Sequence, residues 1–343
     1  MTPAPVGIDV SSKTLDLSAD FGRGSLTAQF ENSPKGHTTL LRWLKKRKRP
    51  ANIVVEATGV YSFELALALH NAKRVQVMVI NPRAAHHFAK AIMARGKSDA
   101  IDAGVLQEYA RRMDFTPWTP PPSTQLQFRA LMRRIHDLTG QLIAEKNRLH
   151  AANAAPTLSA LVREDLEEGL AFLEKRRARL EAGAVELVKS DVELQERFEL
   201  LQSIPGFAKR SSLSVLGEVM SVFGELDVRQ LVAYAGLDPI PDSSGKRGKH
   251  ADGSLRKKVS KRGNARLRSA LFLPAMVAST HDPSVKAYYE RVQSRGARKK
   301  VALIAVMRKL LHAIVGMFKT RKPFDANLCF QTPPGTLKTA GGA

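Results

Sequence analysis

Cysteine is almost missing from this chain: Cys329 is the single one in 343 residues. One thiol excludes a disulfide framework and any zinc site built on cysteine pairs. The nine histidines show no ligand spacing, and His86–His87 reads as a pair on a helix surface. No signal-peptide pattern and no apolar run of bilayer-spanning length is expected, so the sequence implies no membrane partner and a reducing cytoplasm as the compartment. Acidic residues are also scarce, 32 against 54 Lys and Arg, which leaves a formal charge of +22.

That charge is unevenly placed. Residues 201–343 hold 25 basic and 9 acidic residues, a net of +16, whereas residues 1–200 carry a net of +6. A basic half beside a nearly balanced one points to one part that grips phosphates and another that carries chemistry.

The acids that do occur early stand in unusual places. Asp9 ends the apolar run Val6–Gly7–Ile8, and Glu56 ends Ile53–Val54–Val55. Asp99 and Asp102 lie three apart in a helix-like stretch, which presents both on one face. A buried carboxylate is costly unless it is paired or binds a cation. Two strand-end acids and an i,i+3 acidic pair are therefore the raw material of a two-metal phosphoryl-transfer site.

Residues 6–113 read as strands and helices in alternation. Val6–Val10, Leu15–Ala19 and Leu26–Glu31 suit three consecutive strands, the second alternating apolar and polar. A basic amphipathic helix follows over Thr38–Lys48, then a strand at Ile53–Glu56, a helix at Tyr61–Ala72 and a strand at Val75–Ile80. Asn81–Pro82 closes that strand and opens helical sequence to Met113, broken near Gly96. This order is expected for a ribonuclease-H-like α/β fold over residues 1–114, with its strand-end acids converging at one sheet edge.

Residues 115–122 are a proline-rich linker that cannot continue a helix. Phe128, Leu131, Ile135, Leu138, Leu142 and Leu149 then follow three–four spacing, with Glu145 at the missing position. A second seam places leucine every seven residues at 166, 173, 180, 187, 194 and 201, with Leu170 and Phe198 as companions and Arg177 and Asp191 as interruptions. These seams predict long coiled-coil helices over 123–200, paired as a hairpin in one chain or as a dimer interface. Ser190–Asp191–Val192–Glu193 resembles a capping box at which the helix restarts.

Residues 201–330 form the expected third region, mostly helical. Ser203–Ile204–Pro205–Gly206–Phe207–Ala208–Lys209, followed by helical Ser211–Val222, resembles a helix-hairpin-helix, in which backbone N–H groups and a nearby lysine meet a phosphate. Lys209 and Arg210 are its candidate contacts. Ser243–Ser244–Gly245 reads as a turn, directly before residues 246–268, which hold ten Lys or Arg and one acid, Asp252. Apolar helical sequence flanks that basic run on both sides, so it reads as a functional loop more than as a solvated tail. Its candidate nucleic-acid contacts are Lys246, Arg247, Lys249, Arg256, Lys257 and Lys258, then Lys261, Arg262, Arg266 and Arg268. Residues 331–343 are small, rich in Pro and Gly, and expected to be disordered.

Gly7–Ile8–Asp9–Val10–Ser11 also suits the first phosphate strand of actin-like kinases, or an aspartate that merely caps a turn. Those kinase folds need further glycine-rich phosphate loops, and here the chain after residue 120 is helical and basic.

Taken together, the chain resembles the DEDD transposases of the insertion sequence one-ten family, relatives of the pilin-gene invertases. The resemblance runs over about residues 5–328 and rests on order and spacing. Its pieces are Gly7–Ile8–Asp9, Val55–Glu56–Ala57–Thr58–Gly59, Asn81–Pro82, Lys97–Ser98–Asp99–Ala100–Ile101–Asp102–Ala103, Ser203–Ile204–Pro205–Gly206, Ala235–Gly236–Leu237–Asp238–Pro239, Ser244–Gly245, Ser260–Lys261–Arg262–Gly263 and Leu267–Arg268–Ser269–Ala270–Leu271. It implies a RuvC-like domain joined by a coiled coil to a smaller transposase domain. It further implies magnesium on Asp9, Glu56, Asp99 and Asp102, and a nucleophilic serine at Ser244, with Ser243 as a neighbouring hydroxyl that departs from the pattern. Donor and target DNA, a structured non-coding guide (bridge) RNA, and self-assembly into dimers and a synaptic tetramer are the implied partners. Two rival readings stand beside it: a metal-dependent, structure-selective nuclease of the RuvC type, and a non-catalytic coiled-coil nucleic-acid-binding protein.

Overall fold

The computed structural model describes residues 2–22, 24–93, 99–154, 157, 159–224, 226–241 and 257–330, the side chains of Val60, Asp99, Ala100, Pro241 and Lys257 excepted. The chain divides into two compact units, Met1–Pro120 and Pro121–Ala343.

The N-terminal unit is built on five strands: β1 (Ala4–Val10), β2 (Thr14–Asp20), β3 (Ser25–Glu31), β4 (Ala51–Glu56) and β5 (Val75–Ile80). Their order is β3-β2-β1-β4-β5, antiparallel between β1, β2 and β3 and parallel between β1, β4 and β5. This mixed sheet is consistent with the expected ribonuclease-H-like fold. The helices are α1 (Pro34–Lys46), α2 (Val60–His70), α3 (Pro82–Ala91) and α4 (Asp99–Arg112). The first begins four residues earlier than the hydrophobic pattern implies. Ser33 caps it by accepting from the Gly36 N–H, and Pro34 pre-sets the first turn.

Period-two alternation sends the strand residues to two faces. Val6, Ile8, Val10, Ile53 and Val55 pack with Leu40 and Leu44 of α1 and Leu65 and Leu69 of α2. On the other face Val54 and Ile80 pack with Ala85 of α3 and Leu106 of α4. The polar residues of β2 meet α4 there: the buried Ser18 hydroxyl donates to Gln107 Oε1 at 2.6 Å, and Arg111 pairs with Asp20 at 2.9 Å. Gly7 lies on the same face, and a Cβ on it would stand 2.2 Å from both the Ala103 carbonyl oxygen and the Gln107 nitrogen. Only a residue without a side chain lets α4 lie that close to β1.

The C-terminal unit is largely helical: α5 (Ser123–Asn153), α6 (Ala160–Lys189), α7 (Val192–Gln202), α8 (Lys209–Val219), α9 (Val228–Tyr234), α10 (Ala265–His281), α11 (Pro283–Ser294), α12 (Lys299–Thr320) and α13 (Ala326–Phe330). A two-stranded ribbon, β6 (Pro239–Pro241) with β7 (Lys257–Val259), interrupts them. The long pair α5 and α6 packs together within one chain, with Lys146 bridged to Glu174 at 3.0 Å. Phe128, Met132, Ile135, Ala184 and Val188 from this pair join the core of the later helices.

The helix restarts at the expected capping segment: α6 stops at Lys189, and Leu194 and Leu201 of the leucine series belong to α7. Two expectations change here. The cap is Asp191, not Ser190. Its carboxylate accepts from the Glu193 and Leu194 N–H groups and from the Thr124 hydroxyl at 2.5 Å. Burial raises the Asp191 pKa, but these hydrogen bonds outweigh it and hold the group below the usual carboxylate range. The expectation that no segment reaches spanning length is corrected by α12. By length and composition it would cross a bilayer, yet 67% of its most apolar window is buried inside the unit.

Glu218 is the notable buried charge of this unit. It accepts from Arg133 at 3.3 Å and from Asn264 at 2.7 Å, and Asn264 also donates to the Tyr234 hydroxyl at 2.9 Å. Burial alone would raise its pKa, but the Arg133 and Asn264 hydrogen bonds and the charges of Arg133 and Arg129 hold it down. The network thus fastens α5, α8, α9 and the start of α10.

Two outcomes follow. Gly7→Ala is expected to destabilise the protein by about 3 kcal/mol in urea unfolding, because the added carbon meets helix backbone instead of a movable side chain. Glu218→Ala is expected to cost about 2–3 kcal/mol, through donors left unpaired. Because the folded Glu218 pKa is depressed, its contribution is present above the ordinary carboxylate pKa. It is lost as pH falls through the folded value, so the mutant and wild-type stabilities converge in acid.

Candidate active site

Parallel pairing sets the acids side by side. Ile8 is in register with Val55, so Asp9 and Glu56 each stand one residue beyond the same rung, at the C-terminal ends of β1 and β4. Both share the sheet face that carries α3 and α4. Asp9, Glu56 and Asp102 line one cavity of about 290 Å³, together with Pro82, Ala85, His86 and Ala89 of α3 and Val105 and Leu106 of α4. Asp99 opens α4, one helical turn before Asp102, and its side chain lies outside the described residues.

The electrostatics of this cavity favour a cation. Burial pushes the Glu56 carboxyl above its usual range, and the Asp102 charge pushes it further. Among the described residues no three Asp, Glu, His or Cys side chains converge closely enough to hold a metal ion as they stand. The donor set is nonetheless hard carboxylate oxygen, which suits magnesium or manganese, and the repulsion on Glu56 is what a bound cation would relieve. The residues fit such an ion in their chemistry, and three of the four expected acids share the cavity wall.

His86 is the lining residue that sequence reasoning missed. It is exposed on α3, as a surface histidine would be, but Pro82, Ala85, His86 and Ala89 follow i, i+3, i+4, i+7 spacing and turn one helix face to the acids. Asn81 fixes where that helix starts by accepting from the Arg83 N–H at 2.8 Å. The periodicity after Asn81–Pro82 was the available signal.

In the C-terminal unit, Ser243 and Ser244 lie outside the described residues, as do Lys246, Arg247, Lys249 and Arg256 and the side chain of Lys257. The two ends of that segment are placed: Pro241 pairs with Lys257 and Pro239 with Val259. The ribbon is secured at its base. The Lys261 N–H donates to the Gly236 carbonyl at 3.0 Å, the Ser260 N–H to the Asp238 carbonyl at 3.0 Å, and the Ser260 hydroxyl to the Asp238 carboxylate.

Among the expected phosphate contacts, Lys209, Lys258, Lys261 and Arg262 are exposed. Three arginines have intramolecular partners, whatever their exposure: Arg210, also exposed, bridges to Glu181 at 2.8 Å, Arg266 to Asp137 at 3.3 Å, and Arg268 donates to the Ala235 carbonyl at 2.8 Å. Arg210 and Arg266 share a cavity of about 370 Å³ with His136, Ser211, Ser214 and Ser269. The turn expected to meet phosphate is partly covered. Gly206, at φ +89°, faces α10, and a Cβ there would stand 2.7 Å from the Pro274 carbonyl oxygen.

Comparison with known proteins defines the class. Residues 6–152 match the DEDD family model described as a transposase, and residues 198–290 match the model of the IS116/IS110/IS902 transposase family. The chain therefore belongs to the IS110/IS116/IS902 family of transposases, enzymes that rearrange DNA. It is 28% identical to the pilin gene-inverting protein of Moraxella bovis over 336 residues, covering 96% of this chain and 99% of the relative. The same protein of Moraxella lacunata matches to the same extent. The IS116 44.8 kDa protein of Streptomyces clavuligerus is 24% identical, over 93% of this chain and 95% of the relative.

Glu56→Gln is expected to raise the melting temperature at neutral pH by a few degrees. The folded Glu56 pKa is raised, so its charged form weighs against folding as pH rises above the ordinary carboxylate value. The gain shrinks as pH falls back into that range. Added magnesium or manganese is expected to raise the melting temperature of the wild-type protein and to do so less in the Glu56→Gln variant, both read by scanning calorimetry.

Proposed function

We propose that this transposase is an RNA-guided DNA recombinase that cuts and rejoins donor and target DNA through a covalent phosphoserine at Ser244. Asp9, Glu56, Asp99 and Asp102 would hold divalent cations, magnesium by preference. The observation that carries the reading is the meeting of Asp9, Glu56 and Asp102 on the walls of one cavity at a sheet edge.

The four acids would hold such a cation, and the chemistry it would supply when bound is positive charge beside the phosphate. The serine supplies the nucleophile. Its Oγ bonds to phosphorus as the bond from phosphorus to the 3′ oxygen breaks; the hydroxyl proton is lost from Oγ and one is taken up by the 3′ oxygen. A hydroxyl is a weak nucleophile without activation, so the basic residues around it matter. Lys246, Arg247, Lys249 and Arg256, with the exposed Lys258, Lys261 and Arg262, would neutralise the phosphate and its neighbours. Reversal on an exchanged 3′ end regenerates serine and reseals DNA without an external energy source.

The acids and Ser244 lie in different compact units. That division supports a complete centre assembled from two subunits, as in a dimer or a synaptic tetramer. A net charge of +16 on residues 201–343 supports a polyanion grip that reads backbone and shape, with sequence choice left to the pairing of a structured guide RNA.

Ser244→Ala is expected to abolish the covalent protein–DNA adduct on a suicide substrate at least 1,000-fold, and Asp9→Asn is expected to do the same. Denaturing gels with labelled DNA read both. Undiminished strand cleavage by Ser244→Ala would identify a hydrolytic nuclease instead, and an adduct that persists there but vanishes in Ser243→Ala would move the nucleophile by one residue.

A further inference from the structure

A second cavity, of about 550 Å³, opens in the N-terminal unit between α1 and α2, on the sheet face opposite the acids. Two of its lining residues follow shortly after the acid-bearing strand ends in the chain. Ser12 lies three residues after Asp9, and Tyr61 five after Glu56. The volume is that of a small-ligand pocket.

The floor is pre-set by one side chain. Asn32 Nδ2 donates to the Ser11 carbonyl at 2.7 Å and to the Tyr61 carbonyl at 3.2 Å, which ties the turn after β1 to the start of α2. Asn32 Oδ1 lies 2.9 Å from His37 Nε2; that contact assigns the Nε2 proton and leaves Nδ1 as an acceptor. His37 is buried, and burial lowers its pKa although Glu64 opposes the shift. The imidazole is therefore a neutral lining group.

The remaining chemistry selects a planar, neutral, hydrogen-bonding guest. Tyr61 is half exposed and offers an aromatic face. Glu64 and Asn71 line the wall with an acceptor and an amide, beside apolar Leu41, Leu67 and Ala68. A carboxylate in the wall rejects a phosphate but accepts from an exocyclic amino group. The exposed Lys13 and Lys35, each next in the chain to a lining residue, suit the phosphates on either side of such a guest.

We propose that this cavity is a subsite for one extrahelical nucleobase of the DNA at the acid-bearing edge, stacked on Tyr61, with its edge held by Glu64, Asn71 and His37. Every base has a stackable face, and unstacking is least costly where the strand is already single or mispaired, as near a strand being exchanged. Holding that base would fix the register of the strand against the acids. The proposal rests on the reading that DNA crosses this edge.

The test is photocrosslinking of the full chain to single-stranded DNA carrying 5-iodo-2′-deoxycytidine, whose exocyclic amino group is intact, with adducts mapped by mass spectrometry. The wild-type protein is expected to give an adduct at Tyr61. Asn71→Trp, at an exposed position on the cavity wall, and Ala68→Phe, which fills the cavity, are expected to lower it at least tenfold while adducts in the C-terminal unit persist. A Tyr61 adduct unchanged in both variants overturns the proposal, because the ring would then be touching DNA from outside the cavity. Adducts on α3 around His86 without any at Tyr61 overturn the pocket and leave the catalytic reading standing. No adduct anywhere in residues 1–120 defeats both.

Discussion

The absence of a side chain at Gly7 is the constraint on which the N-terminal unit depends. A carbon there would collide with the Ala103 and Gln107 backbone at 2.2 Å, so α4 reaches β1 only because nothing intervenes. That approach sets Asp102 on the same cavity as Asp9 and Glu56. Gln107 confirms the seat one turn further on, where its Oε1 accepts from both Ser18 and Ser25. Burial, and then the charge of Asp102, raises the Glu56 pKa in that cavity. Stability is given up where charge has to be gathered.

The C-terminal unit depends on a different constraint, the bracing of a short ribbon. The ribbon whose strands end at Pro241 and begin at Lys257 has only three residues in each strand. So short a ribbon is marginal alone. Its base is braced by the Lys261–Gly236 and Ser260–Asp238 hydrogen bonds and, behind them, by the Glu218–Asn264–Tyr234 network. Arg210 and Arg266 bridge to Glu181 and Asp137 within the unit, and Lys209, Arg210, Lys258, Lys261 and Arg262 are exposed cations of the expected set.

Much of this was readable from residue order. The apolar runs Val6–Ile8, Ile53–Val55 and Val75–Ile80 end in or beside the acids because a strand buried on both faces tolerates charge only at its end. The alternation in β2 reported one helix-covered face on each side. What escaped was local. Gly36 looks like a breaker, yet Ser33 and Pro34 start α1 before it. The restart at 190–193 was legible as a capping box, but the capping residue is Asp191, one position later than the Ser-x-x-Glu spacing implies. His86 looked like a surface residue and is one, but the surface it faces is the acid cavity. The apolar length of α12 could not by itself distinguish a core helix from a membrane-spanning one; burial by its neighbours does.

We propose that Asp9, Glu56 and Asp102, with Asp99, form a cation-dependent centre for DNA strand transfer. Anomalous diffraction from crystals of the full chain with DNA and manganese is the sharpest test. A manganese peak is expected inside the cavity, about 2.0–2.2 Å from carboxylate oxygens of Asp9 and at least one of the other acids, the distance expected for a small hard cation. Manganese found only at other surfaces, with the cavity empty and the DNA still rejoined, would contradict it.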